Sequence, residues 1–137
     1  MSDCIFCKIV NGEIPCHKIY ENEGAIVFLD ISPVRHGHVL VVPKVHSQDM
    51  TSCAQNDLAA IMSASLKVIS AMRETIMAEG FNFTTNIGPS AGQAVFHTHF
   101  HIIPRNQNDG LVMWPHCDIQ QDELKEIAQK IRRLVAK

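Results

Sequence analysis

Residues 97–105 read HTHFHIIPR, and the three histidines of this stretch stand at every second position. Side chains of a β-strand alternate between two faces, so His97, His99 and His101 are predicted to share one face. The residues between and beside them are then predicted to face the core: Phe96, Thr98, Phe100 and Ile102. The stretch therefore predicts a strand with chemistry on one face and packing on the other.

The rest of the chain supplies further short strands. Four runs have the alternation and composition of strands: HKIYE (17–21), AIVFLD (25–30), HVLVVP (38–43) and FNFTTN (81–86). Turn signals at 22–24 and 33–37 separate the first three runs. Together with the histidine strand they predict an antiparallel sheet of about five strands.

Two helices complete the expected architecture. Apolar residues recur at helical spacing from Leu58 to Ile76, which predicts a long central helix with a capping box from Ser52 to Gln55 and a stop at Gly80. A C-terminal helix is predicted to open at Asp118 and Gln121 and to carry Leu124, Ile127, Ile131 and Leu134. Strands, one long helix and further strands indicate an α+β fold.

Composition narrows the classes of protein to be considered. A chain of 137 residues with 46% hydrophobic content fits a single domain over residues 1–137. A net charge of −2 without a basic cluster argues against binding of a nucleic-acid polymer. No segment has the apolar length that crosses a bilayer, and the N-terminus has no signal pattern. We expect a soluble cytoplasmic protein, not associated with a membrane, that acts on small molecules.

Cys4 and Cys7 form a C-x-x-C motif, while the five cysteines make an odd number that argues against a disulfide framework. The histidine stretch cannot supply three ligands to one metal, because the Cα atoms of His97 and His101 would lie roughly 13 Å apart. We therefore choose His46 and His97 to join Cys4 and Cys7. Four such ligands describe a closed, structural Zn²⁺ site.

Other interpretations of these residues remain open. Cys4 and Cys7 could be two ordinary buried thiols, or a redox pair, although a redox motif is expected to follow a strand and open a long helix. The remaining cysteines are interpreted as incidental: Cys16, Cys53 and Cys117. The remaining histidines are expected at the surface or in loops: His17, His36, His38 and His116.

The ordered motifs CIFCKIVNGEIP, FLDISP, GHVLVVPKVH and NIGPSAGQAVFHTHFHIIPR resemble the histidine triad (HIT) family, in particular its zinc-containing bacterial nucleotide-binding members. The resemblance covers nearly the whole chain. It implies a fold whose small antiparallel sheet continues into a second subunit of a homodimer. It also implies activity on nucleoside phosphates, usually purine nucleotides.

The resemblance assigns roles residue by residue. His99 would be the nucleophile and His101 would contact the phosphate oxygens. A purine pocket is implied with Asp30 at the ribose hydroxyls and with an apolar wall of Ile5, Phe6, Ile9, Phe28 and Ile31. Residues flanking the phosphate would be Asn86, Gly92, Gln93 and Val95. From the residues alone, Asp30 could instead begin a turn and Phe28 could be core.

Ala94 departs from the pattern of many relatives, and some relatives also lack the C-x-x-C motif. Ala94 stands where many relatives have a serine or threonine placed to bond the leaving group, so the preference between phosphoramidates and dinucleoside polyphosphates stays open. Trp114 and Pro115 follow the triad, and Trp114 either reaches the partner's site or packs under the last helix.

Three functions are compatible with these residues. The leading hypothesis is a hydrolase that releases a purine nucleoside monophosphate from a phosphoramidate, an adenylate or a dinucleoside polyphosphate through a nucleotidyl-histidine intermediate. The second is a nucleotide-sensing or partner-binding module with negligible turnover. The third, a hydrolase with a catalytic zinc, is weakened by the closed four-ligand set.

Overall fold

The computed structural model describes residues 3–137, which form three α-helices, five strands and two short 3₁₀ turns. The helices are α1 (Ile5–Val10), α2 (Gln55–Thr75) and α3 (Gln121–Val135). The strands are β1 (Lys18–Glu21), β2 (Ala25–Leu29), β3 (Val39–Pro43), β4 (Gly80–Thr85) and β5 (Phe100–Arg105). They form one sheet of order β1-β2-β3-β5-β4 in which neighbours are antiparallel. The predicted α+β fold is confirmed.

One face of the sheet packs on the long helix α2. Alternate residues of β2, β3 and β5 point to this face, because side chains in a strand alternate. They meet an apolar stripe of α2 in a fully buried core: Ala25, Val27, Val39, Val41, Phe100 and Ile102 against Ile61, Ala64, Val68 and Met72. The spacing of the stripe is the helical period that the sequence showed.

The opposite face of the sheet carries a second, smaller core and the histidines. Phe6 of α1 packs there on Ile26, Phe28, Leu40 and Val42. His101 is paired with Leu40 in the register of β3 and β5, so its side chain lies on the same face as this cluster. Helix α1 and the histidines are therefore neighbours on one side of the sheet.

The predicted histidine strand is wrong in its first half, because β5 begins only at Phe100. Continuing the register of Val41 with Phe100 would place Thr98 opposite Pro43, which has no N–H to donate to a ladder. Thr98 instead donates its N–H to the carbonyl of Ser47, at 2.8 Å. Phe96 is 46% exposed and does not face the core as predicted. His97 and His99 therefore lie in an irregular segment.

The predicted helix ends also differ from the structure. Helix α2 begins after Ala54 without a side-chain cap, and it ends at Thr75, while Gly80 opens β4. Helix α3 begins after Gln120, also without a side-chain cap, and the predicted capping box from Ser52 to Gln55 does not form. Its apolar stripe is present as expected, with exposures from 42% at Leu124 to 68% at Leu134.

Within residues 3–137, no helix has both the length and the apolar character that crossing a bilayer requires. Strand β4 is an edge strand, paired only with β5.

Candidate functional site

Four side chains from three distant parts of the chain converge at the start of α1. Cys4 caps α1 through its sulfur, which accepts the N–H of Cys7 at 3.4 Å. His46 follows β3, and His97 precedes β5. The Sγ atoms of the two cysteines and the Nδ1 atoms of the two histidines all lie within 4.8 Å of one another. The structure thus brings together the four residues predicted as metal ligands.

The hydrogen bond of His97 decides which of its nitrogens can bind a metal. Nε2 of His97 lies 2.9 Å from the carbonyl oxygen of Pro43, which can only accept, so Nε2 carries the proton. The lone pair of the fully buried His97 is therefore on Nδ1, the atom that faces the cysteines and His46.

The distances fit a tetrahedral ion. Bond lengths of about 2.3 Å to sulfur and 2.1 Å to nitrogen predict roughly 3.6 Å between sulfur and nitrogen ligands and roughly 3.4 Å between two nitrogens. Nδ1 of His97 lies 3.3 Å from Sγ of Cys4 and 3.5 Å from Sγ of Cys7. Nδ1 of His46 lies 3.4 Å from Sγ of Cys7 and 3.1 Å from Nδ1 of His97. These residues can hold a metal with two sulfur and two nitrogen ligands.

His99 is held in the opposite tautomer to His97. Its Nδ1 donates to the carbonyl oxygen of His97 at 2.7 Å, which leaves the lone pair on Nε2. The backbone of this residue is fixed as well, because the hydroxyl of Thr85 donates to its carbonyl at 2.7 Å. The ring of Phe6 packs edge-on against His99 with centroids 5.0 Å apart.

His101 is oriented by His38, a residue that we expected at the surface and that is in fact 3% exposed. The N–H of Val34 donates to Nδ1 of His38 at 3.0 Å, so the proton of His38 is on Nε2. Nε2 of His38 then donates to Nδ1 of His101 at 2.9 Å. This acceptor role leaves the proton of His101 on its Nε2. A chain of three groups thus presents His101 as an N–H donor.

Burial keeps these imidazoles neutral near pH 7. Desolvation, together with smaller contributions from the nearby His99 and His38, lowers the pKa of His101 to about 4. Desolvation also lowers the pKa of His99, against the opposing effect of the carbonyl of His97. The pKa of His38 is lowered for the same reason, with Asp30 acting in the other direction. A neutral imidazole has the lone pair that a nucleophile requires.

A cavity of about 400 Å³ opens beside these histidines on the α1 face of the sheet. Ten of the residues that the resemblance assigned to nucleotide binding line it: Ile5, Phe6, Ile9, Phe28, Asp30, Ile31, Gly92, Val95, His99 and His101. Six further lining residues were not singled out for the pocket: Ile14, Pro15, Cys16, Leu29, Ser32 and Leu40. Four of them are apolar residues whose sequence pattern gave no signal distinct from core packing, and no sequence motif assigned a role to Cys16 or Ser32. Ala94 also lines the cavity.

Asn86 and Gln93 do not line this cavity. Gln93 is 5% exposed and its amide group is already used: its oxygen accepts the N–H of Gly88, and its nitrogen donates to the carbonyls of Gln48 and Val95. Asn86 lies next to Gly92, because a Cβ on Gly92 would come within 3.4 Å of the amide nitrogen of Asn86. The hydrogen bonds of Gln93 thus hold the loop that contributes Gly92, Ala94 and Val95 to the cavity.

A model of the HIT domain matches residues 11–108 of the chain. The chain belongs to the HIT family. The match ends before α3, which lies outside the part of the chain that the family model covers.

Two relatives of this HIT protein have names that describe an activity. The adenosine 5'-monophosphoramidase hnt1 of Schizosaccharomyces pombe is 43% identical over 130 residues, covering 93% of this chain and 95% of that protein. The adenylylsulfatase HINT3 of Arabidopsis thaliana is 39% identical over 124 residues, covering 90% of this chain and 62% of that protein.

A solved structure extends the likeness to the fold. The zinc-bound histidine triad family protein from Mycobacterium smegmatis superposes with a TM-score of 0.77 at 34% identity and covers 99% of both chains. That protein holds zinc. The cluster of Cys4, Cys7, His46 and His97 is a possible metal site of this HIT protein.

Proposed function

We propose that this HIT protein is a hydrolase that releases a purine nucleoside monophosphate from a phosphoramidate, an adenylate or a dinucleoside polyphosphate. The observation that carries the proposal is the hydrogen bond from Nδ1 of His99 to the carbonyl of His97, because it fixes the lone pair on Nε2 in a residue that lines the cavity. The names of the fission-yeast and Arabidopsis relatives support a reaction at an adenosine phosphate.

The proposed reaction has two displacements at the α-phosphorus. The lone pair on Nε2 of His99 forms a bond to phosphorus, and the bond to the leaving group breaks with its electron pair. Water then forms a bond to phosphorus, the bond to Nε2 breaks, the imidazole recovers its lone pair, and one proton of the water is released to solvent. The N–H of His101 and backbone N–H groups around Gly92 are assigned to the charge on the phosphoryl oxygens.

The remaining wall of the cavity is assigned to the nucleoside. Phe6 and Phe28 lie edge-to-face with centroids 5.8 Å apart and offer apolar contact to a purine. Asp30 accepts the N–H of Ser32 at 2.8 Å through one carboxylate oxygen. Its other oxygen lies 3.6 Å from Nε2 of His38 and has lone pairs left for ribose hydroxyls.

We propose that Zn²⁺ is the metal held by Cys4, Cys7, His46 and His97. Two thiolates and two imidazoles are a ligand set that zinc prefers in structural sites. The bound ion would supply a cross-link between α1, the end of β3 and the segment before β5. Its function is therefore to position the neighbours of His99.

We also propose a homodimer in which the sheet continues across the edge strand β4. The free edge of β4 and the exposed side chain of Trp114, at 84%, are surfaces that a second copy would cover. Light scattering at micromolar concentration tests this assembly and should report about twice the chain mass of 15.3 kDa. A mass of one chain would contradict it.

The function is tested with a panel of adenosine and guanosine compounds that carry different groups on the α-phosphate. We expect release of the nucleoside monophosphate from members of both nucleoside series. Binding of the nucleotides without turnover of any compound would contradict the hydrolase and favour a nucleotide-binding module.

A further inference from the structure

The wall of the cavity formed by residues 92–95 contains no side chain that can donate a proton. Gly92, Ala94 and Val95 line the cavity and have no ionisable group or hydroxyl. Gln93 stands among them but is turned away, since its amide is saturated by Gly88, Gln48 and Val95. This part of the wall can offer only backbone N–H groups and aliphatic carbon.

The histidine chain cannot supply a proton either. It begins at the backbone N–H of Val34, which donates to His38, and His38 donates in turn to His101. A backbone amide is not an acid under physiological conditions, so the chain orients His101 without being able to replace a proton that His101 gives away. The pKa of His101, lowered by burial to about 4, agrees with this role as a neutral hydrogen-bond donor.

The other polar groups of the cavity lie with the residues assigned to the nucleoside. Cys16 packs on the cluster that contains Phe28 and Leu40. Ser32 belongs to the same turn as Asp30 and donates its N–H to that carboxylate. None of these groups belongs to the loop beside Ala94.

Leaving groups differ in their need for a proton. When an anhydride bond at phosphorus breaks, the electron pair leaves on an oxygen of a carboxylate, sulfate or phosphate, which is stable as an anion at pH 7. When a bond to an alkyl amine nitrogen breaks, that nitrogen must gain a proton in the same step. A positioned acid contributes about 10²–10⁴-fold to such steps, and the wall formed by residues 92–95 offers none.

We propose that the site is selective for weakly basic leaving groups: its substrates are mixed anhydrides of a nucleoside monophosphate with a carboxylic, sulfuric or phosphoric acid, and amidates of alkyl amines are poor substrates. This inference rests on the proposed function. In the first displacement, the bond from Nε2 of His99 to phosphorus forms, the phosphorus–oxygen bond breaks, and the acid leaves as its anion. In the second displacement the oxygen of water forms a bond to phosphorus, the bond to Nε2 of His99 breaks, and one proton of the water is released to solvent.

Ala94 is the specificity-determining position in this account. This residue is exposed and lines the cavity. Because serine differs from alanine only by a hydroxyl on Cβ, Ala94→Ser adds a hydrogen-bond donor to the wall that lacks one. Ala91 is exposed in the preceding 3₁₀ turn and does not line the cavity. Ala91→Ser is therefore a matched control that adds the same hydroxyl outside the site.

The test measures kcat/KM at pH 7.5 for adenylyl sulfate, an acyl adenylate, and AMP amidates of a series of aryl and alkyl amines. With the unaltered protein we expect the rate to fall steeply as the amine becomes more basic, with the alkyl amidates at least about 100-fold below the anhydrides. In Ala94→Ser the ratio of amidate to anhydride rates should rise at least about tenfold, and in Ala91→Ser it should stay within about twofold.

Alkyl amidates hydrolysed within about threefold of the anhydrides would overturn the selectivity and leave the proposed function standing. An unchanged ratio in a folded Ala94→Ser protein would remove Ala94 as its determinant and so overturn the account of the wall. If none of the compounds is hydrolysed, both the selectivity and the proposed hydrolase are overturned.

Discussion

Two groups of imidazoles lie a few residues apart, and they are built in opposite ways. In the first group, His46 and His97 approach through their Nδ1 atoms at 3.1 Å, with two cysteine sulfurs around them. In the second, His38 and His101 approach at 2.9 Å, with Nε2 of one facing Nδ1 of the other. Asp30 lies close enough to His38 and His101 for these three residues to form a second set of possible metal ligands.

The partner of the far nitrogen separates the two groups. A carbonyl binds the far nitrogen of His97, so a lone pair faces the cysteines. A backbone N–H binds the far nitrogen of His38, so a proton faces His101. Lone pairs that point at one another, as in the first group, are stabilised by a bound cation. A donor that faces an acceptor, as in the second group, forms a hydrogen bond without an ion. Similar distances between ligand atoms therefore do not imply similar sites.

The largest expected effect is the loss of turnover when His99 is replaced, in contrast to the replacement of His97 in the proposed metal site. Replacing His99 by Ala should lower turnover at least about 10³-fold while nucleotide binding and metal content stay, because only the nucleophile is lost. Replacing His97 by Ala should instead lower both metal content and thermal stability. Kinetics, elemental analysis and melting of the two variants check this. Near wild-type turnover by His99→Ala would refute the assignment.

Loss of one ligand of the proposed metal site should lower both stability and zinc content. We expect Cys7→Ser to lower the free energy of unfolding by at least about 3 kcal/mol and to reduce zinc below the expected one ion per chain, because metal binding is coupled to folding. Cys117→Ser is the matched control at an exposed thiol and should change stability by less than about 0.5 kcal/mol. Denaturant unfolding with elemental analysis gives both values, and equal stability of the two variants would argue against a metal.

The histidine chain should respond in activity and not in metal content. His38→Phe keeps a ring but loses both nitrogens, so kcat should fall roughly 10²-fold through the lost orientation of His101. His38→Gln can still donate to His101 and should recover part of this loss. Zinc content should be unchanged in both. If Phe and Gln are equally active, the hydrogen bond from His38 has no positioning role.

The smallest expected effect is a dependence of stability on pH. Because burial lowers the pKa of His101 to about 4, the unfolded chain binds a proton below pH 6.5 that the folded chain does not. Stability due to this group is therefore complete above pH 6.5 and is lost as the pH falls towards 4. Between pH 7 and 5 we expect a loss of about 1–2 kcal/mol.

The free energy of unfolding of His101→Asn, measured at pH 7 and pH 5, should fall by about 1–2 kcal/mol less than that of the unaltered protein. His116→Gln, at an exposed position, should behave as the unaltered protein does. Equal pH dependence in all three proteins would contradict the shifted pKa.

The sequence predicted the sheet and both long helices because their periodic patterns extend over many residues. Val39–Pro43 and the stripe of α2 pack as their spacing indicates. The helix starts at Gln55 and Gln121 were predicted less well, since a capping box is a short pattern that the backbone need not use.

The histidine segment shows why a local period is not sufficient. Alternation indicated a strand throughout, but strand pairing needs a partner with N–H groups, and Pro43 ends that partner opposite Thr98. Within this irregular turn, Nδ1 of His99 donates to the carbonyl of His97. The four residues predicted as metal ligands nevertheless converge in the structure, because the number and chemistry of such ligands are restrictive.

His38 was missed because its role depends on tertiary contacts. Nothing in RHGHVL distinguishes a buried histidine from an exposed one, and only the pairing of β3 with β5 brings it beside His101. The loop that turns Gln93 away from the cavity was hidden for the same reason.

The most direct test of the central claim is the position of the covalent intermediate. Rapid-quench mass spectrometry of the unaltered protein with a slowly hydrolysed adenylate analogue should find one adduct of the mass of a nucleotidyl group, and peptide mapping should place it on His99. The account predicts none on His97, whose lone pair faces the cysteines, and none on His101, which presents a proton. An adduct on either of these residues, or turnover with no adduct at any time point, would contradict the account.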